Sequence, residues 1–342
     1  MEIKNAVLKE QVVSFSKSKI FFYIFSIIVF GLFIYYYSTI KGGVKIFATL
    51  NPVWIVVALV TQGSTYFFGA LIYRNLLRAL TIEPLISVKE LFQAAIVTLF
   101  VTQTIPSASV SGHMFFFNFL KKRNVSEDRA LSLILIELLT FYSGIILIII
   151  GLLLVCFCSA SMPMFFVPIL FGGLVVYVIL ALLVEFFGKG HVVSFLMRKI
   201  SNISFLKKRI KKYERVSSWT PQSPLEICLK HRRVILWSVI LQCCIFFADG
   251  VTVYALFRGL NVSASFLVVF MGLILTIAIS LLPISPGALL VYEASMTFFY
   301  ASLGIPVVIA ATVTLLYRIV SFWVPIPIGL FFYRKLQRFS QK

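Results

Sequence analysis

The chain reads as an all-α integral membrane protein: a polytopic bundle of about eight spanning helices, with two broken or re-entrant hairpins, built as an inverted repeat. Three observations predict this. Sixty per cent of the 342 residues are apolar and only 13% are charged, a balance that leaves most segments without the polar face a soluble helix needs. Apolar runs long enough to cross a hydrocarbon core of about 30 Å recur along the chain. These runs exceed strand length and lack strict alternation. Backbone groups in lipid must be satisfied within the segment, so the runs are helices.

In chain order the apolar pattern predicts helices over Ile20–Ser38, Pro52–Tyr73, Lys89–Ile105, Gly112–Leu120, Ala130–Cys156, Pro163–Phe187, Val234–Phe257, Phe266–Leu282, Ala288–Leu303 and Val307–Tyr333. The first is too long for the apolar part of a signal peptide and no small-residue cleavage pattern precedes Lys41, so it reads as an uncleaved helix. Lys89–Leu120 and Phe266–Leu303 are each interrupted by Pro, Ser and Gly. Each is either two crossings or one re-entrant hairpin. The chain divides into an N-terminal tail with the first helix (1–51), a first membrane repeat (52–187), a basic linker (188–233), and a second membrane repeat with a basic tail (234–342).

The formal net charge of +19 belongs to loops that set topology and meet anionic lipid heads, not to a nucleic-acid surface. Lys4, Lys9, Lys17 and Lys19, then Arg74, Arg78 and Lys89, then Lys121, Lys122, Arg123 and Arg129 occupy alternate ends of the helices. The stretch 188–233 holds twelve Lys and Arg, and the tail adds Arg334, Lys335, Arg338 and Lys342. The opposite loops hold Lys41, Lys45 and Arg258. One topology puts every dense cluster on one side, with both termini in the cytoplasm of a cell that carries the protein in its plasma or inner membrane. The linker interleaves Phe195, Leu196, Ile200, Ile203, Phe205 and Leu206 with its charges. It is either a helix lying on anionic lipid or a solvated topogenic loop.

The chain also resembles itself, its second half following the first at a nearly constant offset. Gln62 matches Gln242, Arg78-Ala79-Leu80 matches Arg258-Gly259-Leu260, Pro106 matches Pro283, and the run from Ala130 matches that from Ala310. Under the charge-derived topology the two halves are inverted. That is the architecture of many secondary transporters, which place their site at the repeat interface. A duplicated scaffold without transport fits the same pattern.

Ionisable groups inside spans are costly and mark candidate sites. Here they are Glu137, Asp249, Glu293 and Arg318. Gln242 and Asp249, seven apart, share a helix face. Glu137 shares one with Thr140, and Arg318 with Ser321. The first break runs Thr102-Gln-Thr-Ile-Pro106-Ser-Ala-Ser-Val-Ser111-Gly112-His113. The second runs Leu282-Pro283-Ile-Ser285-Pro286-Gly287 and on to Tyr292-Glu293. Proline removes a donor and glycine permits close approach. A helix that restarts after such a break presents free N–H groups to an anion such as phosphate. An ordinary interhelical turn punctuated by Pro and Gly accounts for the same spacing. Glu293 and Arg318 are expected to pair with each other or to share one lipid headgroup. The five cysteines and three scattered histidines form no metal pattern, and no cofactor is expected.

At the two breaks the sequence resembles the lysylphosphatidylglycerol synthase transmembrane-region family, also called flippase-like domain proteins, from about Pro52 onward. The motif is Pro283-Ile-Ser285-Pro286-Gly287, then Glu293, Gly304 and Arg318. Ala288 stands where the family often has a second glycine. Pro106, Gly112 and Glu137 carry the likeness in the first half, where Ser111-Gly112-His113 replaces a charged pair. The resemblance implies a lipid translocase, or a membrane partner of lipid-linked glycan assembly. Its partners would be membrane lipids, anionic ones above all, and a lipid-modifying enzyme. By family the activity would be phosphatidylglycerol lysyltransfer. Full-length synthases carry a soluble domain after the membrane part, and this chain stops at Lys342, so that activity is not expected from this chain alone.

Overall fold

A computed structural model describes residues 50–80, 86–104, 110–158, 165–188, 224–280 and 291–338. The predicted helix at Ile20–Ser38, both proline-containing turns and most of the basic linker lie outside the described residues. All regular structure among them is helical: α1 Pro52–Ala79, α2 Val88–Thr104, α3 Val110–Lys121, α4 Glu127–Cys158, α5 Phe166–Gly188, α6 Pro224–Lys230, α7 Arg232–Gly259, α8 Phe266–Ser280, α9 Val291–Ser302, α10 Val307–Arg318, a π-helical turn Ile319–Trp323, and α11 Pro325–Arg338. Five stretches are long and apolar enough to cross a membrane: α1, α4, most of α5, α7, and the run from Val307 to Leu336.

The packing is inside-out relative to a soluble protein. Phe171, Val175, Ile179 and Leu182 of α5 and Leu236, Trp237, Ile240 and Phe247 of α7 are exposed, while Gln62, Gln93, Gln103, Gln242, Thr252 and Arg318 are buried. Water would penalise such a surface and hydrocarbon would not, so the bundle belongs in a bilayer.

The duplication is visible element by element. The offset that takes Pro52 to Arg232, the first residues of α1 and α7, also takes Ala79 to Gly259, their last. The same offset takes Glu127 to Val307 and Cys158 to Arg338, so α4 is repeated by the run from α10 through α11. The turns after α3 and α9 repeat the same hydrogen bonds. Asn124 N–H donates to Lys121 O and Val125 N–H to Leu120 O, as Gly304 N–H donates to Ala301 O and Ile305 N–H to Tyr300 O. Asn124 and Gly304, again at that offset, both take positive φ, 60° and 88°. That is the left-handed closing residue of a helix, and it is why Asn or Gly stands there.

The equivalent helices α1 and α7 form the central pair and run antiparallel. Asn51 N–H donates to Gly259 O (3.2 Å) at one end. Further along, the Trp54 ring meets the edge of Tyr254, the Thr61 and Thr252 hydroxyls lie 2.8 Å apart, and Gln62 Nε2 donates to Asp249 Oδ1 (3.3 Å). Residue numbers fall on α7 as they rise on α1. Two repeat-related helices that pack antiparallel define a pseudo-two-fold axis across them, which is an inverted repeat. Hairpins α2–α3 and α8–α9 flank this pair, and α4 and α10–α11 complete the halves.

The halves are not identical. Helix α11 packs along α2, whereas α5 packs on α4 and touches α8. The sequence predicts one helix over Val307–Tyr333, and a single apolar span does run from Val307 to Leu336, but a π turn and Pro325 interrupt its regular hydrogen bonding. Val324 N–H reaches back five residues to Ile319 O (2.9 Å). Pro325 has no N–H to give Ser321 O, and Gln103 Nε2 takes that carbonyl instead (3.1 Å).

Candidate functional site

Arg318 ends α10, and the chain carries it into the space beside α9. Its Nε donates to Glu293 Oε1 at 2.6 Å, with side-chain exposures of 8% and 18%. The guanidinium carbon lies 4.8 Å from the Tyr292 ring centre and 4.4 Å from that of Phe322, so two aromatic faces hold the cation flat. Tyr292 and Glu293 sit in the first turn of α9, the turn that follows the second break. Glu293 Oε2 is buried and has no hydrogen-bond partner among the described residues.

The first half holds a pair at equivalent positions with the carboxylate on the other member. His113, in the first turn of α3, is the repeat counterpart of Glu293. It meets Glu137 Oε2 of α4 at 3.3 Å. Glu137 falls next to the repeat counterpart of Arg318, a single position out of register. Thus the carboxylate and its nitrogen partner swap helices between the halves, while the contact between the arm after the break and the following long helix is kept. Sequence reasoning placed His113 at the first break, where Ser111-Gly112-His113 replaces a charged pair, but did not count it among the candidate site residues. The repeat offset, which aligns it with Glu293, was the signal that could have found it.

Asp249 lies beside the second pair, reached through Tyr317 and Tyr292. It takes the Gln62 amide from α1, and the Tyr317 hydroxyl of α10 faces it. Tyr317 in turn stacks on Tyr292, ring centres 6.2 Å apart. A polar chain therefore crosses from α1 through α7 and α10 to the Glu293–Arg318 pair.

Other predicted residues fall elsewhere. Gln242 shares a helix with Asp249 but packs on α4: a Cβ added at Gly144 would lie 2.9 Å from Gln242 Cγ. The seven-residue spacing does not bring the two to one site. A Cβ at Gly112 would lie 2.7 Å from Thr98 O, and Ser111 Oγ donates to Val101 O (3.2 Å). Both therefore hold α3 against α2 in a tight hairpin. Glu137 lies with His113 and not with the Glu293–Arg318 pair, and Thr140 Oγ1 donates to the Glu137 carbonyl (2.8 Å). Pro106, Pro283, Ser285, Pro286 and Gly287 lie outside the described residues. Among the described residues no group of His, Cys, Asp and Glu could hold a metal ion.

An all-helical membrane bundle of two antiparallel halves, each with a carboxylate–nitrogen contact just past a break, defines the class. The family model for the lysylphosphatidylglycerol synthase TM region matches residues 21–329, and the chain belongs to that family. Two curated relatives are UPF0104 membrane proteins. One, from Methanothermobacter thermautotrophicus, is 28% identical over 109 residues, 32% of each chain. The other, from Pyrococcus horikoshii, is 26% identical over 100 residues, 29% of this chain and 30% of its own. Each match thus spans about a third of the relative's length.

Proposed function

We propose that this chain moves an anionic lipid, a phospholipid or a polyprenyl-phosphate-linked lipid, from one leaflet of the cell membrane to the other. In this reading both termini and the basic loops face the cytoplasm. One observation carries it: Arg318, clamped between two aromatic rings, is neutralised by a carboxylate at the first turn after the second break. A cation held at that depth only to be cancelled is an expensive structural device. A cation whose carboxylate can be exchanged for a phosphate is a headgroup site. The planar fork of a guanidinium suits phosphate better than an ammonium does. The His113–Glu137 pair offers a second polar contact in the other half, so a headgroup leaving one pair would meet another on its way through the bundle.

The test is the purified chain in vesicles carrying a fluorescent headgroup-labelled lipid, with quencher outside. Labelled phosphatidylglycerol and a labelled polyprenyl phosphate should each be compared with phosphatidylcholine. Faster loss of protected fluorescence for an anionic lipid, reduced in Arg318→Lys at unchanged fold, is expected. No flip above protein-free vesicles for any anionic lipid removes the proposal. Formation of lysyl-lipid by the purified chain would replace it with an enzyme.

A further inference from the structure

We infer that Asp249 is a proton-carrying site at the seam between the two halves, alternating between acid and carboxylate as the transporter turns over. The inference rests on the transport reading above and supplies its energy coupling.

Asp249 is the eighteenth of the 28 residues of α7, about 5 Å from the helix midpoint at 1.5 Å per residue. The antiparallel pairing of α1 with α7 brings Gln62, equally near the middle of α1, against it. Its neighbours are neutral. Gln62 donates to it from α1, the Tyr317 hydroxyl faces it from α10, and the Tyr66 and Tyr292 rings approach from α1 and α9. No cation pairs with it among the described residues. Arg318, one residue past Tyr317, turns to Glu293. Helix α8 carries no titratable residue. The acid within α4, Glu137, meets His113. The charges of α6, Glu226 and Lys230, sit beyond the opposite end of α7. Glu293 therefore has a cationic partner and Glu137 an imidazole ring nitrogen, while Asp249 has only amide and hydroxyl neighbours. A carboxylate in that position is held by two donors when charged and needs no counter-ion when protonated, so both states are accessible.

Two buried polar atoms strengthen the assignment. Gln62 Oε1 and the Tyr66 hydroxyl are buried side by side beside Asp249 without a well-formed hydrogen bond among the described residues, and Gln62 is only 7% exposed. Such atoms beside a carboxylate are the equipment of a site that receives a proton or a hydrated proton carrier. The chemistry balances simply. On one side of the membrane a hydronium O–H bond breaks as the Asp249 O–H forms, and on the other side the reverse occurs with water as acceptor. Tyr317 and Tyr292 link the site to Arg318, so loss of the proton adds a negative charge to the network that competes with an anionic headgroup for the cation.

Two measurements test this. In reconstituted full-length chain, infrared difference spectra between acid and alkaline buffer should show a protonated-carboxyl band that is absent in Asp249→Asn and retained, displaced, in Asp249→Glu. Identical bands in the wild type and Asp249→Asn overturn the site, whether or not any lipid moves. In vesicles with a pH gradient, flip of labelled phosphatidylglycerol should differ severalfold between the two gradient directions in the wild type, and that ratio should fall to unity in Asp249→Asn. Wild-type flip that ignores the pH gradient but follows a sodium gradient overturns the proton assignment. Absence of flip in the wild type removes the transport reading, while the infrared titration still decides the proton site.

Discussion

Removing one member of the Glu293–Arg318 pair should cost far more than removing both. With side-chain exposures of 18% and 8%, Arg318→Gln leaves a buried carboxylate without its cation, a change worth about 3–5 kcal/mol. Loss of the two aromatic contacts adds roughly 0.5–2 kcal/mol each, since the ring that faces a cation gains little from an amide. Glu293→Gln on that background removes the stranded charge and should return most of the first term, so the double variant is expected to lose only the aromatic part, about 1–4 kcal/mol. The coupling should thus be of order 3 kcal/mol. Unfolding the four proteins by SDS in dodecylmaltoside micelles measures it directly, and accumulation of each variant in membranes gives a second readout. Additive single effects, with no recovery in the double variant, would refute the reasoning, because they would mean that each charge has some other partner.

Three further outcomes follow from the packing. Gly112→Ala should destabilise by about 1–3 kcal/mol through overpacking against Thr98 O. Gly151→Ala, where nothing lies within 4 Å, should be neutral or stabilising by up to about 1 kcal/mol, and thermal unfolding in detergent distinguishes the two. Cysteines replacing Thr61 and Thr252, whose hydroxyls lie 2.8 Å apart, should crosslink on mild oxidation in membranes, while a Thr61 and Ser238 pair should not; the reverse would contradict the antiparallel seam. Burial, and after it the Glu185 carboxylate, push the Cys228 thiol up to about 11. In a variant keeping only that cysteine, maleimide labelling at neutral pH should be about 10-fold slower than for an ordinary thiol, after its higher nucleophilicity is allowed for. Labelling should rise with pH toward 11, because only the thiolate reacts; a rate flat in pH would show that access, not ionisation, controls it.

The helices were legible because hydrocarbon imposes so few solutions on an apolar run. Pro52 and Phe266 begin helices where the sequence places them. The ends were less legible: α4 starts at Glu127 and not Ala130, since its first turn, Glu127 and Asp128, is charged and does not register as apolar. The division of Val307–Tyr333 was missed although Pro325 is visible, because a proline in a membrane helix can be tolerated when another group takes the orphaned carbonyl. That group, Gln103, lies 218 residues away in sequence. Cost alone pointed to Glu293 and Arg318, because unpaired charges are expensive wherever they fall in a span. It could not distinguish Gln242 from Asp249, whose surroundings are set by α4 and α1, nor assign Gly112 to hairpin packing. His113 was passed over because a histidine is inexpensive when neutral and gives no such signal.

The orphaned carbonyl of Ser321 has a mechanical consequence. Helix α4 runs unbroken for 32 residues, while its counterpart is jointed at the π turn and Pro325. Bending is therefore concentrated in one half, just beyond Arg318. The strut across that joint is Gln103, on the last turn of α2 before the first break. Two arms that look interchangeable in sequence are therefore unlike in build: one is regular throughout, and the other relies, just beyond Arg318, on an amide from the opposite half.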